Sequence, residues 1–299
     1  MAAAMSRIGF IGLGMMGKPM AARLHAAGYP LLVGDALPAV IQAFVDAHPG
    51  ATAARDGAAF DSCNAVITML PDSDAVESVV LGAAGGKGVA HYVKPGALIV
   101  DMSSSQPMRT RALAQSLGQR GILFLDAPVS GGVKRAIDGS LAIMIGGDAG
   151  VLESAREMLG HLGKTLTHVG AAGAGHAMKA LNNYVSAAGL VAAAEALHAG
   201  KRFGLDPSVM TDVFNSSTGR NNTTENKVKP FMLSGAFNSG FSLALMAKDL
   251  GIAMALGDAV GTPMRLGHEV LGMWSTASQQ LPKGADHTEM YRWLESHDG

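Results

Sequence analysis

Short apolar runs alternate with helical stretches through the first half of the chain, and the alternation stops near residue 168. The first run, Ile8 to Ile11, ends at Gly12 and leads into a helical pattern from Met20 to Ala27. Further runs follow at Tyr29 to Val33, Ala65 to Leu70, Ala97 to Met102, Ile122 to Leu125, Leu141 to Ile145 and Thr165 to Val169. Strand-sized apolar runs separated by helices predict an α/β domain, a mostly parallel sheet with helices on both faces. Beyond residue 168 the strand signals vanish, and helical segments rich in Ala, Leu and Met dominate to Glu295. The expected organisation is an α/β unit over 1–168 and an all-α unit over 169–299.

Composition narrows the class. A length of 299 residues is enough for about two domains that each bury a core. The net charge of −1 supplies no field for nucleic acid or for an anionic membrane surface. Charged residues make up 16% of the chain, against roughly 25% in ordinary globular domains, which points to surface buried between subunits. The single cysteine, Cys63, excludes an intrachain disulfide and fits a reducing, cytoplasmic setting. The first strand begins by Arg7, which leaves no room for a signal peptide. The longest apolar stretch, Tyr184 to Ala194, ends at Glu195, short of the roughly 18 residues that a membrane span needs. The 18 methionines fall mostly within helical runs and read as core filler. Asn222-Thr223-Thr224 spells a glycosylation sequon, but with no secretory signal it reads as an accident of spelling.

The most informative stretch is Gly12-Leu13-Gly14-Met15-Met16-Gly17, placed between the first strand and the first helix. Gly12 allows a tight turn and Gly14 lets backbone approach a pyrophosphate. Gly17 lets the helix pack on its strand, with its free N–H groups and dipole facing the phosphates. The second strand ends at Gly34-Asp35, where a carboxylate accepts both ribose hydroxyls and repels a 2′-phosphate. Residues Ala36 to Pro38 contain no cation. This combination favours NAD over its phosphorylated form.

Ligands of open α/β sheets bind beyond the carboxyl ends of the strands. Three such ends are polar or turn-forming: Leu70-Pro71, Asp101 to Ser105, and Asp126 to Gly132. In the last, Ser130, Gly131 and Gly132 offer a hydroxyl and accessible backbone N–H groups, a cradle for a small carboxylate. The second half opens with a helical run from Gly173 to about Gly200. On it Lys179 and Asn183 lie four apart and share a face. An ammonium amid Ala, Met and Leu needs a purpose, and partial burial beside a positively charged nicotinamide would lower its pKa into acid–base range. His176, one turn earlier, is a rival for that role.

Together, Phe10 to Gly17, Asp126 to Gly132, Gly173 to Asn183 and Leu245-Met246-Ala247-Lys248-Asp249-Leu250 resemble the β-hydroxyacid dehydrogenase family over nearly the whole chain. The resemblance implies a Rossmann-type N-terminal domain, a long interdomain helix and an all-α C-terminal domain that makes homodimer or homotetramer contacts. It implies NAD as cofactor, a small hydroxy acid as substrate, and no metal. Lys179 matches the family's catalytic lysine and Asn183 its partner. Ser130, Gly131 and Gly132 match the substrate-carboxylate loop, and Lys248 a lysine near nicotinamide and substrate. Leu70, Pro71 and Ser104 match cofactor-contacting positions, Ser104 standing where relatives often have Thr. A catalytically silent scaffold would have replaced the lysine. Imine reductases share the fold but usually carry Asp or Tyr at that position, and 6-phosphogluconate dehydrogenases have a much longer C-terminal domain. Tartronate semialdehyde, sulfolactaldehyde, threonate and serine-type substrates stay open. The polar stretch Ser217 to Asn226, expected near the substrate, points towards a hydroxylated one.

Overall fold

The computed structural model describes residues 7–83 and 86–297. Two compact units divide after Lys179. The division near 168 expected from the strand pattern follows the last strand, whereas compactness carries the first unit on into the helix that comes next.

In the first unit, β1 (Ile8–Ile11), β2 (Leu31–Gly34), β4 (Ala65–Thr68) and β5 (Leu98–Asp101) are buried along their whole length. Strands covered on both faces need no polar alternation, which is why they read as continuous apolar runs. The sheet order is β3-β2-β1-β4-β5-β6-β8-β7, with β9 (Gly163–Gly170) beside β8 (Leu141–Gly147). Strands β1 to β6 pair in parallel, with β3 at Thr52–Ala53 and β6 at Leu123–Asp126. The chain leaves β1 for β2 on one side and returns to β4 on the other, so the order reverses beside β1. That reversal opens the crevice where α/β sheets take ligands.

One sheet face buries Ile8, Phe10, Ile67 and Val100 against Met20 and Leu24 of α1 (Gly17–Ala26). The other buries Ile11, Val66 and Ile99 against Val76 and Val80 of α3 (Ser73–Leu81) and Leu113 and Leu117 of α4 (Pro107–Gly118). The chain's one cysteine, Cys63, is 4% exposed on this second face. Burial pushes its thiol up to about 11. The expected loop Asp126 to Gly132 contains a short strand, β7 (Val129–Ser130), antiparallel to β8. A two-residue strand leaves no period to detect.

The second unit is helical, and among its described residues the one β contact is the isolated bridge Ser242–Asp286. Its helices are the remainder of α7 (Ala174–Phe203), α8 (Pro207–Ser216), α9 (Asn222–Asn226), α10 (Leu243–Ala259), α11 (Arg265–Gln280) and α12 (Met290–His297). A π-helical turn spans Val228–Leu233. Trp274, fully buried, centres a core with Leu190, Leu197, Leu250, Met232, Met246 and Met290, where methionine fills space as expected. No described helix is long and apolar enough to cross a membrane. Phe203 is 85% exposed, and Val209, Val213, Val260 and Leu266 are exposed with it.

Candidate active site

In the glycine loop after β1, Gly12 and Gly17 meet steric demands of the chain itself. Gly12 has φ +98°, and a Cβ there would lie 2.2 Å from the Met69 carbonyl oxygen. At Gly17 a Cβ would lie 1.8 Å from the Gly12 carbonyl oxygen, so only glycine lets α1 start this close to the strand. A Cβ at Gly14 would meet nothing within 4 Å. Gly14 is therefore free of any packing reason and faces the space that a pyrophosphate would need. Helix α1 begins with no side-chain cap and no acid in its first turn, so its dipole awaits an anion.

Asp35 follows β2, as expected, and also has a task that the sequence did not show. Its Oδ2 accepts the Leu13 N–H at 2.7 Å and its Oδ1 the Leu37 N–H at 2.9 Å. The carboxylate therefore ties the glycine loop to the turn after β2. Each oxygen keeps a further lone pair for a ribose hydroxyl. Around the crevice, the Leu70 N–H donates to Ser103 Oγ at 2.9 Å, Pro71 is exposed and Ser104 is half-buried. The uncapped start of α1, the open space at Gly14 and the Asp35 carboxylate fit a dinucleotide.

The carboxyl edge of the sheet carries a buried polar row. Thr68, Asp101 and Asp126 are register partners on β4, β5 and β6. Asp101 accepts from Thr68 Oγ1 at 2.9 Å and from Ser105 Oγ at 2.8 Å. Asp126, fully buried, accepts the Gly173 N–H at 2.7 Å and the His176 N–H at 2.9 Å. It thereby caps the start of α7 from a distant strand, satisfying N–H groups that a helix leaves open. Helix and sheet press together closely: a Cβ on Gly175 would lie 2.7 Å from the Asp126 carbonyl oxygen. His176, the rival acid–base group, is buried in this network. Its Nδ1 pairs with Thr110 Oγ1 at 2.9 Å, and Asp101 and Asp126 lie 3.7 and 3.8 Å from its ring nitrogens. Those neighbours give His176 an anchoring role.

Three residues past His176, Lys179 is 8% exposed, the burial that its apolar neighbours implied. Ser130 ends β7, and Gly131 and Gly132 follow with φ of +133° and +67°. Side chains rarely adopt such angles, so the loop presents bare backbone. A Cβ on Gly131 would meet Arg135 Cδ at 2.4 Å, while one on Gly132 would meet nothing.

In the second unit, Asn183 is 6% exposed and its Nδ2 donates to Asp249 Oδ2 at 2.6 Å. Lys248 Nζ lies 3.9 Å from Asp249 Oδ1. The structure thus joins Asn183 and Lys248 through Asp249, a residue to which the sequence reading gave no role. A buried carboxylate inside the apolar helix α10 was the available signal. The polar stretch Ser217 to Asn226 is partly explained by capping: Asn221 and Thr224 form a capping box on α9. The sequon's Thr223 and Thr224 are buried there.

Residues 7–170 match the NAD-binding domain of 6-phosphogluconate dehydrogenase, and residues 173–294 match the NAD-binding family of NADP-dependent 3-hydroxyisobutyrate dehydrogenase. The human mitochondrial 3-hydroxyisobutyrate dehydrogenase is 38% identical, over 89% of this chain and 81% of its own. The 2-(hydroxymethyl)glutarate dehydrogenase of Eubacterium barkeri is 39% identical, over 86% of this chain and 84% of its own. A solved structure of the Mycobacterium tuberculosis 3-hydroxyisobutyrate dehydrogenase with L-serine superposes with a TM-score of 0.89 at 34% identity, covering 97% of this chain and 99% of that one. The glycine loop, the buried lysine and these matches together define an NAD-dependent hydroxyacid dehydrogenase. Within that class, the chain belongs to the 3-hydroxyisobutyrate dehydrogenase family.

Proposed function

We propose that the protein interconverts a small 3-hydroxy acid, with 3-hydroxyisobutyrate as the reference substrate, and the corresponding semialdehyde. The observation that carries this reading is the buried Lys179, intact in its motif, with its partner Asn183 held by Asp249. NAD, when bound, would supply the hydride acceptor for oxidation and, reduced, the hydride donor for the reverse reaction. Lys179 takes the proton of the substrate's hydroxyl as the hydride leaves, and its ammonium hydrogen-bonds the oxygen and returns that proton in reduction. Preorganised donors placed where charge develops are worth a few kcal/mol. Asn183, fixed by Asp249, orients the lysine and the hydroxyl, and Lys248 adds positive charge near the substrate. Ser130 and the backbone of Gly131 and Gly132 hold the carboxylate.

Gly12 to Gly17, Leu70, Pro71 and Ser104 would hold the cofactor, and Asp35 followed by no cation over Ala36 to Pro38 supports a preference for NAD. The exposed Phe203, Val209 and Val213 support a homo-oligomer, a dimer or tetramer. The single buried cysteine supports a reducing, cytoplasmic setting. An initial-rate screen of small 3-hydroxy acids, each beside its methyl ester, tests the proposal. The acid should turn over and the ester scarcely so, because unpaired buried donors cost about 1–3 kcal/mol each. Equal rates on acid and ester would overturn it.

A further inference from the structure

Lys227, at the C-terminal end of α9, is a half-buried cation that the hydroxy-acid chemistry leaves unused. Its Nζ donates to Ser186 Oγ at 3.3 Å. Ser186 lies on α7 three residues beyond Asn183, a spacing that puts both on one helix face, about 4.5 Å apart along the axis. The face that carries the Asn183 amide therefore carries an ammonium one turn further on.

The carboxylate whose field reaches Lys227 is Asp286, and that group is already saturated. It accepts the Gly240 N–H at 2.8 Å, the Thr288 N–H at 2.9 Å, Thr288 Oγ1 at 2.6 Å and Ser239 Oγ at 2.8 Å. Burial works against its ionisation, yet the bonds from His287, Thr288 and Ser239 hold its carboxyl well below the usual range. Lys227 receives little of that charge. Burial pulls its ammonium down to about 8, against a weaker opposing pull from Asp286. A partly desolvated cation whose one hydrogen-bond acceptor among the described residues is a hydroxyl is stabilised by an anion that arrives with a ligand.

We propose that Lys227 and Ser186 form a subsite for a second acidic group at the far end of the substrate, so that the preferred substrate is a hydroxy dicarboxylate. This inference rests on the hydroxy-acid reading above and adds the substrate's second charge. The oxidation itself is unchanged, and the distal acid only binds.

A matched pair of substrates provides the test. In 3-hydroxyisobutyrate and 2-(hydroxymethyl)glutarate the hydroxymethyl group and carboxylate sit on the same carbon, and a methyl in the first becomes a carboxyethyl arm in the second. With full-length enzyme and saturating NAD, the KM for the diacid should be at least tenfold below that for the monoacid. Lys227→Met should reduce that ratio tenfold or more, Ser186→Ala should reduce it by less, and Lys227→Arg should retain most of it. Glutarate should also inhibit the wild-type enzyme at lower concentration than butyrate, a measurement that needs no variant. A wild-type enzyme without preference for the diacid, or a ratio unmoved in Lys227→Met, overturns the subsite and leaves the hydroxy-acid reading standing. No turnover of any 3-hydroxy acid overturns both.

Discussion

Replacing Asp126 by alanine removes one carboxylate from the sheet edge and leaves two N–H donors, those of Gly173 and His176, buried at the start of α7 with no acceptor. Each such orphan costs about 1–3 kcal/mol, so the gross loss is about 2–6 kcal/mol. Two effects reduce it. The buried carboxylate no longer has to be desolvated, and His176 keeps Asp101 at 3.7 Å as its remaining negative neighbour. The net expectation is about 2–4 kcal/mol. Asp126→Asn keeps one carbonyl oxygen for one donor and turns an amide NH2 towards the other, so it should lose roughly half as much. Both tryptophans, Trp274 and Trp293, pack in the helical unit, so their fluorescence is a poor reporter here. Urea unfolding followed by far-ultraviolet circular dichroism, together with amide hydrogen exchange over residues 173–179, reads the loss directly. Because Lys179 begins the next turn, kcat should fall with the anchor while the affinity for NAD is retained. An alanine variant within about 0.5 kcal/mol of wild type, with unchanged exchange at those amides, would refute the capping argument; that margin is the usual effect of a neutral surface substitution.

Two further outcomes follow from the site. Lys179→Ala should lower kcat by two orders of magnitude or more, within the roughly 10²–10⁴-fold range of positioned acid–base groups, and equilibrium NAD binding should survive. Near-normal turnover in the folded variant would remove Lys179 from the chemistry. Steady-state kinetics should favour NAD over NADP, and Asp35→Asn combined with Ala36→Arg should narrow or reverse that preference by trading repulsion for a phosphate partner. Since Asp35 also holds the Leu13 N–H, the double variant should bind both cofactors more weakly. A wild-type preference for NADP would contradict the charge argument.

Much of the fold could be read from the sequence because the central strands are buried on both faces and their apolar runs are uninterrupted. The glycine loop was readable in part, since Gly12 and Gly17 each answer a separate steric demand. That Lys179 and Asn183 share a face of α7 could be read from spacing alone. The contacts that hold the start of α7 and the Asn183 amide could not. Asp126 reaches Gly173 and His176 across 47 and 50 residues, and Asp249 reaches Asn183 across 66. Local periodicity carries no trace of such contacts. Asp101 and Asp126 were visible as strand-end acids, but only the sheet register makes them neighbours. The sequence pointed to Asp35 for its expected place at the end of β2, and its bond to the loop backbone depended on how β1 and β2 lie side by side.

Cys63 gives the first unit a reporter of its own. The thiol is 4% exposed and held largely protonated by burial, so a thiol reagent reaches it only when the sheet's second face opens. With a single sulfhydryl in the chain, each modification counts one opening event at one place. Labelling rates measured with and without NAD would then convert cofactor binding into a free energy of local opening, on a protein that needs no engineered probe.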